Sequence, residues 1–302
     1  MTPGDVYAVA SGKGGVGKTT TALNLGAAFV DADRSVVVVD VDLGMANLGD
    51  LLDVTPAGPS LHAVLAGEAE IEAATTEAPG GFDVVLGSDD LEAFGRADPA
   101  ALGSAIERLR EAYDVVLLDG SGGLSHDVTV PLGLADRVLL VTTPAEPAVT
   151  NAIKTRELVE RLGGTIAGVI VNRIGGAGQA TPEAVAERIG VAALGSVPED
   201  GAIQVSATEG TPLVAVDRES PAAQSFREIA YDLLDEPLPR TWEESADAEP
   251  PVEPPAAAVD EAEPAPDANA TDEIVDGGTD RPDPGQSESR SLLSRMTGGL
   301  LG

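Results

Sequence analysis

The chain has 302 residues, 43% of them apolar, enough for one core of good size and hardly enough for two. It carries 51 acidic against 18 basic residues, a net charge of −33, and no cysteine. Disulfides, thiolate nucleophiles, iron–sulfur clusters and cysteine-based zinc sites are excluded, and nucleic acid is an unlikely partner because phosphate binding needs a basic face.

The acidity runs through the whole chain. Residues 1–236 hold 36 acids and 14 bases, a net −22, and residues 237–302 hold 15 and 4. Lysine occurs only at positions 13, 18 and 154, against 15 arginines. This is the composition expected of a salt-loving, haloarchaeal cytoplasm: a surface this acidic repels itself until salt screens it. The opening "MTPGDVYAVA" has no basic stretch ahead of an apolar one, so no secretory signal is expected. No apolar run approaches the roughly 18–20 residues of a membrane span. A cytoplasmic location follows as the expectation.

In chain order, strands are expected at 6–10 ("VYAVA"), 35–40 ("SVVVVD"), 82–88 ("FDVVLGS"), 113–119 ("YDVVLLD"), 137–143 ("RVLLVTT"), 167–172 ("AGVIVN"), 193–198 ("ALGSVP") and 212–216 ("PLVAV"). Several are continuous apolar runs, which suits strands buried on both faces. Helical patterns occupy 18–33, 99–112, 146–162, 182–190 and 220–234. The alternation predicts an α/β fold, a doubly wound and mostly parallel sheet with helices on both faces, over residues 1–236. Residues 237–288 are Pro, Ala, Glu and Asp with few aliphatics, and are expected to be a disordered acidic linker. Residues 289–302, "SRSLLSRMTGGLLG", are aliphatic and basic.

The stretch "SGKGGVGKTT" at 11–20 carries the chemistry. Gly12, Gly17, Lys18 and Thr19 fit G-x-x-x-x-G-K-[ST] between an expected strand and an expected helix, the context a phosphate-binding loop requires. Backbone N–H groups around the glycines turn toward an oxyanion, and the following helix presents its positive end. Lys18 reaches the β- and γ-phosphates, and the Thr19 hydroxyl ligates Mg²⁺. The ligand the loop predicts is a Mg²⁺-bound nucleoside triphosphate.

An ordinary phosphate loop has no need of Lys13. With it, the segment Lys13-Gly14-Gly15-Val16-Gly17-Lys18-Thr19-Thr20 resembles the deviant Walker A motif of the MinD/ParA family of P-loop ATPases. The resemblance spans about residues 4–236. It implies that Lys13 reaches across a homodimer to the partner's nucleotide, so that charge stabilisation depends on dimerisation. "DVDLG" resembles the family's second signature, which implies that Asp42 positions the attacking water while Asp40 stands nearer the Mg²⁺ shell. "VVLLDGSGG" resembles a Walker B strand ending in the metal-side Asp119, with Gly123 in place but Ser121 where proline is usual. His126 and Asp127 follow and receive no role. Asn172 and the turn Pro198-Glu199-Asp200 correspond to the places that hold the adenine in that family.

Within the family, the missing cysteines exclude the iron–sulfur and nickel branches, and the −22 domain disfavours a DNA-binding face. The MinD-like branch remains. Leu292, Leu293, Met296 and Leu300 fall on one helical stripe flanked by Arg290 and Arg295, similar to the short membrane-binding helix that ends MinD proteins. The expectation is an ATPase that dimerises around two Mg·ATP, hydrolyses them, and attaches reversibly to the inner membrane face through its end. A protein partner of unknown identity is expected. The alternatives are an ATP-binding scaffold whose acidic tail recruits partners, and a ParA-like DNA-segregation ATPase.

Overall fold

The computed structural model describes residues 3–239, apart from 124, 125 and 177 and the side chains of 126–128. The elements run β1 (Asp5–Ala10), α1 (Lys18–Asp31), β2 (Val36–Asp40), α2 (Leu48–Leu52), α3 (Leu61–Leu65), β3 (Thr75–Glu77), β4 (Asp83–Val85) and α4 (Leu91–Arg96). They continue with α5 (Leu102–Ala112), β5 (Val115–Asp119), α6 (His126–Leu134), β6 (Arg137–Thr142), α7 (Glu146–Arg161) and β7 (Ile166–Ile174). The last are α8 (Pro182–Ile189), β8 (Ala193–Pro198), α9 (Gly201–Thr208), α10 (Leu213–Val216) and α11 (Pro221–Leu233).

One sheet takes all eight strands, in the order β3-β4-β2-β5-β1-β6-β7-β8. Every neighbouring pair is parallel except β3 with β4, at one edge. The continuous apolar strands are buried on both faces, as their pattern requires. Tyr7, Val9, Val36 and Val38 pack on one side against Leu25 and Phe29 of α1 and Phe226 of α11. Val6, Ala8, Val37 and Val39 pack on the other against Ile106 and Leu109 of α5 and Val149 of α7. The doubly wound reading therefore holds, and seven of its eight strands stand in the sheet.

The eighth does not. Residues 212–216 form the single turn of α10, capped by Pro212, instead of a strand. Leu213 and Val214 are buried there against α1, and the Val214 amide donates to Oδ1 of Asn24 at 3.1 Å. The fold packs this short run against α1 and α11 instead of adding it to the sheet. The strand expected over 82–88 is also shorter: the chain leaves the sheet after Val85, and the Leu86 carbonyl accepts the Leu61 amide at 2.8 Å.

Residues 240–302 lie outside the described residues, and with them nearly all of the expected linker and the whole stripe from Leu292 to Leu300. Among the described residues no helix is long and apolar enough to cross a membrane.

Candidate functional site

The carboxyl ends of β1, β2, β5 and β7 bring the motif residues to one edge of the sheet, where such folds place ligands. Between β1 and α1 the chain makes the loop 11–17. Two of its glycines have no substitute. A Cβ on Gly12 would stand 2.4 Å from the Asn151 carbonyl oxygen, and Gly17 turns at φ +95° with Asn172 Nδ2 2.7 Å from where its Cβ would be.

The start of α1 is bare. Ser60, Thr181, Asp200 and Ser220 each cap a helix with a side-chain oxygen, whereas α1 begins at Gly17 with no side-chain cap and no acid in its first turn. Its unpaired amides and positive end face the cleft lined by Gly14, Gly15, Lys18, Thr19 and Thr20. The cleft, about 650 Å³, also takes in Asp42 and the loop after it. Lys18 is only 9% exposed, and no carboxylate pairs with it among the described residues. An anionic ligand supplies what this loop lacks.

Asp119, at the end of β5, is 3% exposed, and its Oδ1 is buried without a partner. Burial pushes its carboxyl up to about 7; Asp40 and Asp42 add to the rise, while the Thr19 hydroxyl and the Lys18 ammonium oppose it. An orphaned carboxylate oxygen beside a threonine hydroxyl and a lysine fits a hydrated divalent cation. Among the described residues no three acids or histidines converge into a ready-made metal cage. The donor set of Thr19 and Asp119 therefore suits Mg²⁺, which keeps waters and takes phosphate oxygens.

Asp40 has another occupation. Its Oδ2 accepts the amides of Asn47 and Leu48 at 2.9 and 3.1 Å, and its Oδ1 accepts that of Asp42 at 3.2 Å. Buried at 1% exposure, it is pushed up to about 6 by desolvation, which these three amides oppose. It anchors the loop 42–47 and the start of α2. Asp42, half-buried, lines the cleft, and its Oδ1 accepts the Met45 amide at 3.2 Å. Lys13 is exposed, stands outside the lining of its own cleft, and has no ion pair among the described residues.

A second hollow adjoins the first. It is lined by Val16, Gly17, Thr20, Asn172, Pro198, Glu199 and Asp200, with Phe226 at its floor. Asn172 donates through Nδ2 to the Val16 carbonyl and the Thr21 hydroxyl, at 3.0 and 3.1 Å, and its buried Oδ1 has no partner. That oxygen is an acceptor awaiting a donor. Asp200 spends its carboxylate otherwise: Oδ1 caps α9 through the Ala202 amide and Oδ2 accepts the Ser220 hydroxyl, at 2.8 and 2.9 Å. Pro198, Glu199 and the backbone of the turn are left to face a ring.

Residues 7–213 match the family model described as the CobQ/CobB/MinD/ParA nucleotide binding domain. The chain belongs to this family. As a MinD/ParA-type P-loop protein it is 35% identical over 228 residues to an uncharacterized ATP-binding protein of Methanocaldococcus jannaschii, covering 75% of this chain and 86% of that one. Its fold is similar to the cell division ATPase MinD of Pyrococcus furiosus, with a TM-score of 0.73 and 36% identity over 77% of this chain and 99% of that one. It is similar also to the septum site-determining protein MinD of Pyrococcus horikoshii complexed with Mg-ADP, with a TM-score of 0.72 and 35% identity over 76% and 95% of the two chains.

One residue of this MinD/ParA site escaped the sequence reading. Arg173 sits at a register break in the pairing of β7 with β8, in a left-handed conformation (φ +60°) that a non-glycine residue rarely adopts. The bulge turns it into the rim shared by both hollows. It is exposed and has no ion pair among the described residues, whereas nine other arginines of the domain do. The sequence holds only a base after Asn172; the strain that marks it is a property of the sheet.

Proposed function

We propose that this protein is a MinD-like ATPase that binds Mg·ATP, closes into a homodimer around two nucleotides, and hydrolyses them to cycle on and off an anionic membrane surface. The observation that carries this reading is the pairing of an uncapped α1, with Lys18 in its first turn, and the orphaned Oδ1 of Asp119 beside Thr19 and Lys18. Together they make a binding face for phosphates and one for their cation. The Asn172 hollow next to it takes the base, its Oδ1 accepting from the adenine amino group.

Thr19 and Asp119 would hold Mg²⁺, which would supply neutralisation of the charge that develops on the phosphates. Lys18 and the α1 amides orient the phosphate chain, Asp40 keeps the loop 42–47 in place, and Asp42 orients the attacking water. Lys13, exposed and outside the lining of its own cleft, acts on the partner's nucleotide. The stripe of Leu292, Leu293, Met296 and Leu300 supplies the membrane contact, weak alone and strengthened when dimerisation doubles it.

The test is liposome co-sedimentation in molar KCl with the full chain and Mg·ATP. Retention on anionic vesicles is expected to need ATP, Lys13 and residues 289–302 together, with Leu293→Glu abolishing it. Retention unchanged after deletion of 289–302 would remove the membrane role and leave the ATPase alone.

A further inference from the structure

His62 is fully buried on α3, in a part of the fold with no assigned role. Its Nδ1 accepts the Ser88 amide at 3.0 Å, and its Nε2 lies 2.9 Å from the Leu43 carbonyl. An amide N–H can only donate, so Nδ1 carries no proton, the ring hydrogen resides on Nε2, and Nε2 donates to Leu43. Phe94 packs beside the ring, 6.4 Å between centroids. Both backbone partners adjoin acids of the cleft. Leu43 comes directly after Asp42, and Ser88 directly before Asp89, and both of these acids line the phosphate cleft.

The loop from Asp42 to Asn47 is therefore held at two ends. Asp40 holds the far end through the amides of Asn47 and Leu48. The near end has the Leu43 carbonyl on His62. Between the two anchors the chain is open to solvent, with Met45 78% exposed. A loop pinned by a rigid buried ring at one end and a buried carboxylate at the other keeps its first residue, Asp42, in one place.

We propose that His62 is a positioning residue for the reaction: it clamps Leu43 to the Ser88–Asp89 segment and so sets where the Asp42 carboxylate stands over the cleft. This rests on the reading of Asp42 as the group that orients water. The ring touches neither the phosphate loop nor Asn172, so its loss should leave nucleotide affinity intact while turnover falls.

Full-length protein carrying His62→Leu, His62→Gln or Asp42→Ala is compared with wild type for Mg·ATP affinity, kcat, and amide exchange at Met45 and Asn47. Those two amides are bonded to Asp42 and Asp40, and His62 does not touch them. His62→Leu is expected to bind Mg·ATP as wild type does, to lose about 10- to 100-fold in kcat through the misplaced carboxylate, and to exchange both amides faster. His62→Gln places a donor and an acceptor at a similar separation and should recover kcat to within about threefold of wild type. Wild-type kcat in His62→Leu, or unchanged exchange at Met45 and Asn47, would overturn the proposal.

If the leucine variant does not fold, wild-type protein still decides. The chain has two histidines, so ¹⁵N imidazole spectra at pH 8 with a His126 variant assign His62 directly. The Nε2–H form is required, and an Nδ1–H form overturns the clamp. Wild-type turnover in Asp42→Ala would remove the role of Asp42 itself, while exchange and tautomer continue to judge the His62–Leu43 tether.

Discussion

Asn172 reaches from the end of β7 to donate a 3.0 Å hydrogen bond to the Val16 carbonyl, inside the phosphate loop. With its second hydrogen on Thr21, both donors are consumed, and the buried Oδ1 can only accept. The second hollow and the phosphate loop are thus joined by one side chain, which fixes the polarity that the hollow presents at Asn172.

That polarity predicts nucleotide choice. With the base in this hollow, as proposed, an adenine amino group would donate to Oδ1, whereas the guanine carbonyl oxygen would meet it acceptor to acceptor. Competition binding should show ATP preferred over GTP by about 10-fold or more, the usual cost of a mismatched buried polar pair. Asn172→Ala should erase most of the preference and weaken ATP binding, because Val16 then loses its donor. Equal affinity for the two nucleotides in wild type would place the base elsewhere.

The two lysines of the loop should separate. Lys18 is buried beside the bare end of α1, whereas Lys13 is exposed. Lys18→Ala is expected to abolish nucleotide binding by calorimetry. Lys13→Ala should bind ATP as a monomer yet fail to dimerise or turn over, measured by light scattering and phosphate release. Equal loss of affinity in both variants would take away the role of Lys13 in a partner subunit.

Asp119 predicts a pH dependence in nucleotide-free, metal-free protein. Its carboxyl is raised from 3.8 to about 7 on folding, so between those values the folded state binds the extra proton. Its stabilising contribution is fully present below about pH 4 and is lost as pH rises through 7. Asp119→Asn cannot ionise, and should gain on wild type by on the order of 2–4 kcal/mol between pH 5 and 8. Urea unfolding at the two pH values measures it. A difference independent of pH would mean that Asp119 is solvated in solution. Mg·ATP should reverse the ranking, because the cation needs the charge.

Salt should matter to the whole domain. Residues 1–236 carry net −22, and the ion pairs present are mostly exposed, such as Arg108 with Glu72 and Arg188 with Glu146. Exposed pairs contribute little, so the uncompensated acids dominate, and their repulsion lengthens with the Debye length in dilute buffer. The melting temperature should rise substantially from dilute buffer to molar KCl. A flat profile would mean that the acids do not act on one another.

The sequence alone carried the sheet and the phosphate loop. Runs such as Val36–Val39 are apolar at every position, and only a strand covered on both faces can bury such a run. The loop 11–20 is equally self-contained, because glycine freedom and the lysine spacing act within ten residues of chain. What lay beyond reach were effects that need a distant neighbour. "PLVAV" has a strand's composition, but Asn24 takes its amide and it becomes α10. The family resemblance sets Asp40 nearer the cation and Asp42 at the attacking water, and only the fold shows Asp40 accepting the amides of Asn47 and Leu48 and Asp42 lining the cleft. Arg173 gains its place from a bulge, and His62 gains its from a carbonyl 19 residues before it and an amide 26 residues after it. Local patterning determines the long buried strands and the phosphate loop; the hydrogen bonds that decide what short segments such as α10 and each polar side chain do are made between segments, and the tertiary structure alone brings those together.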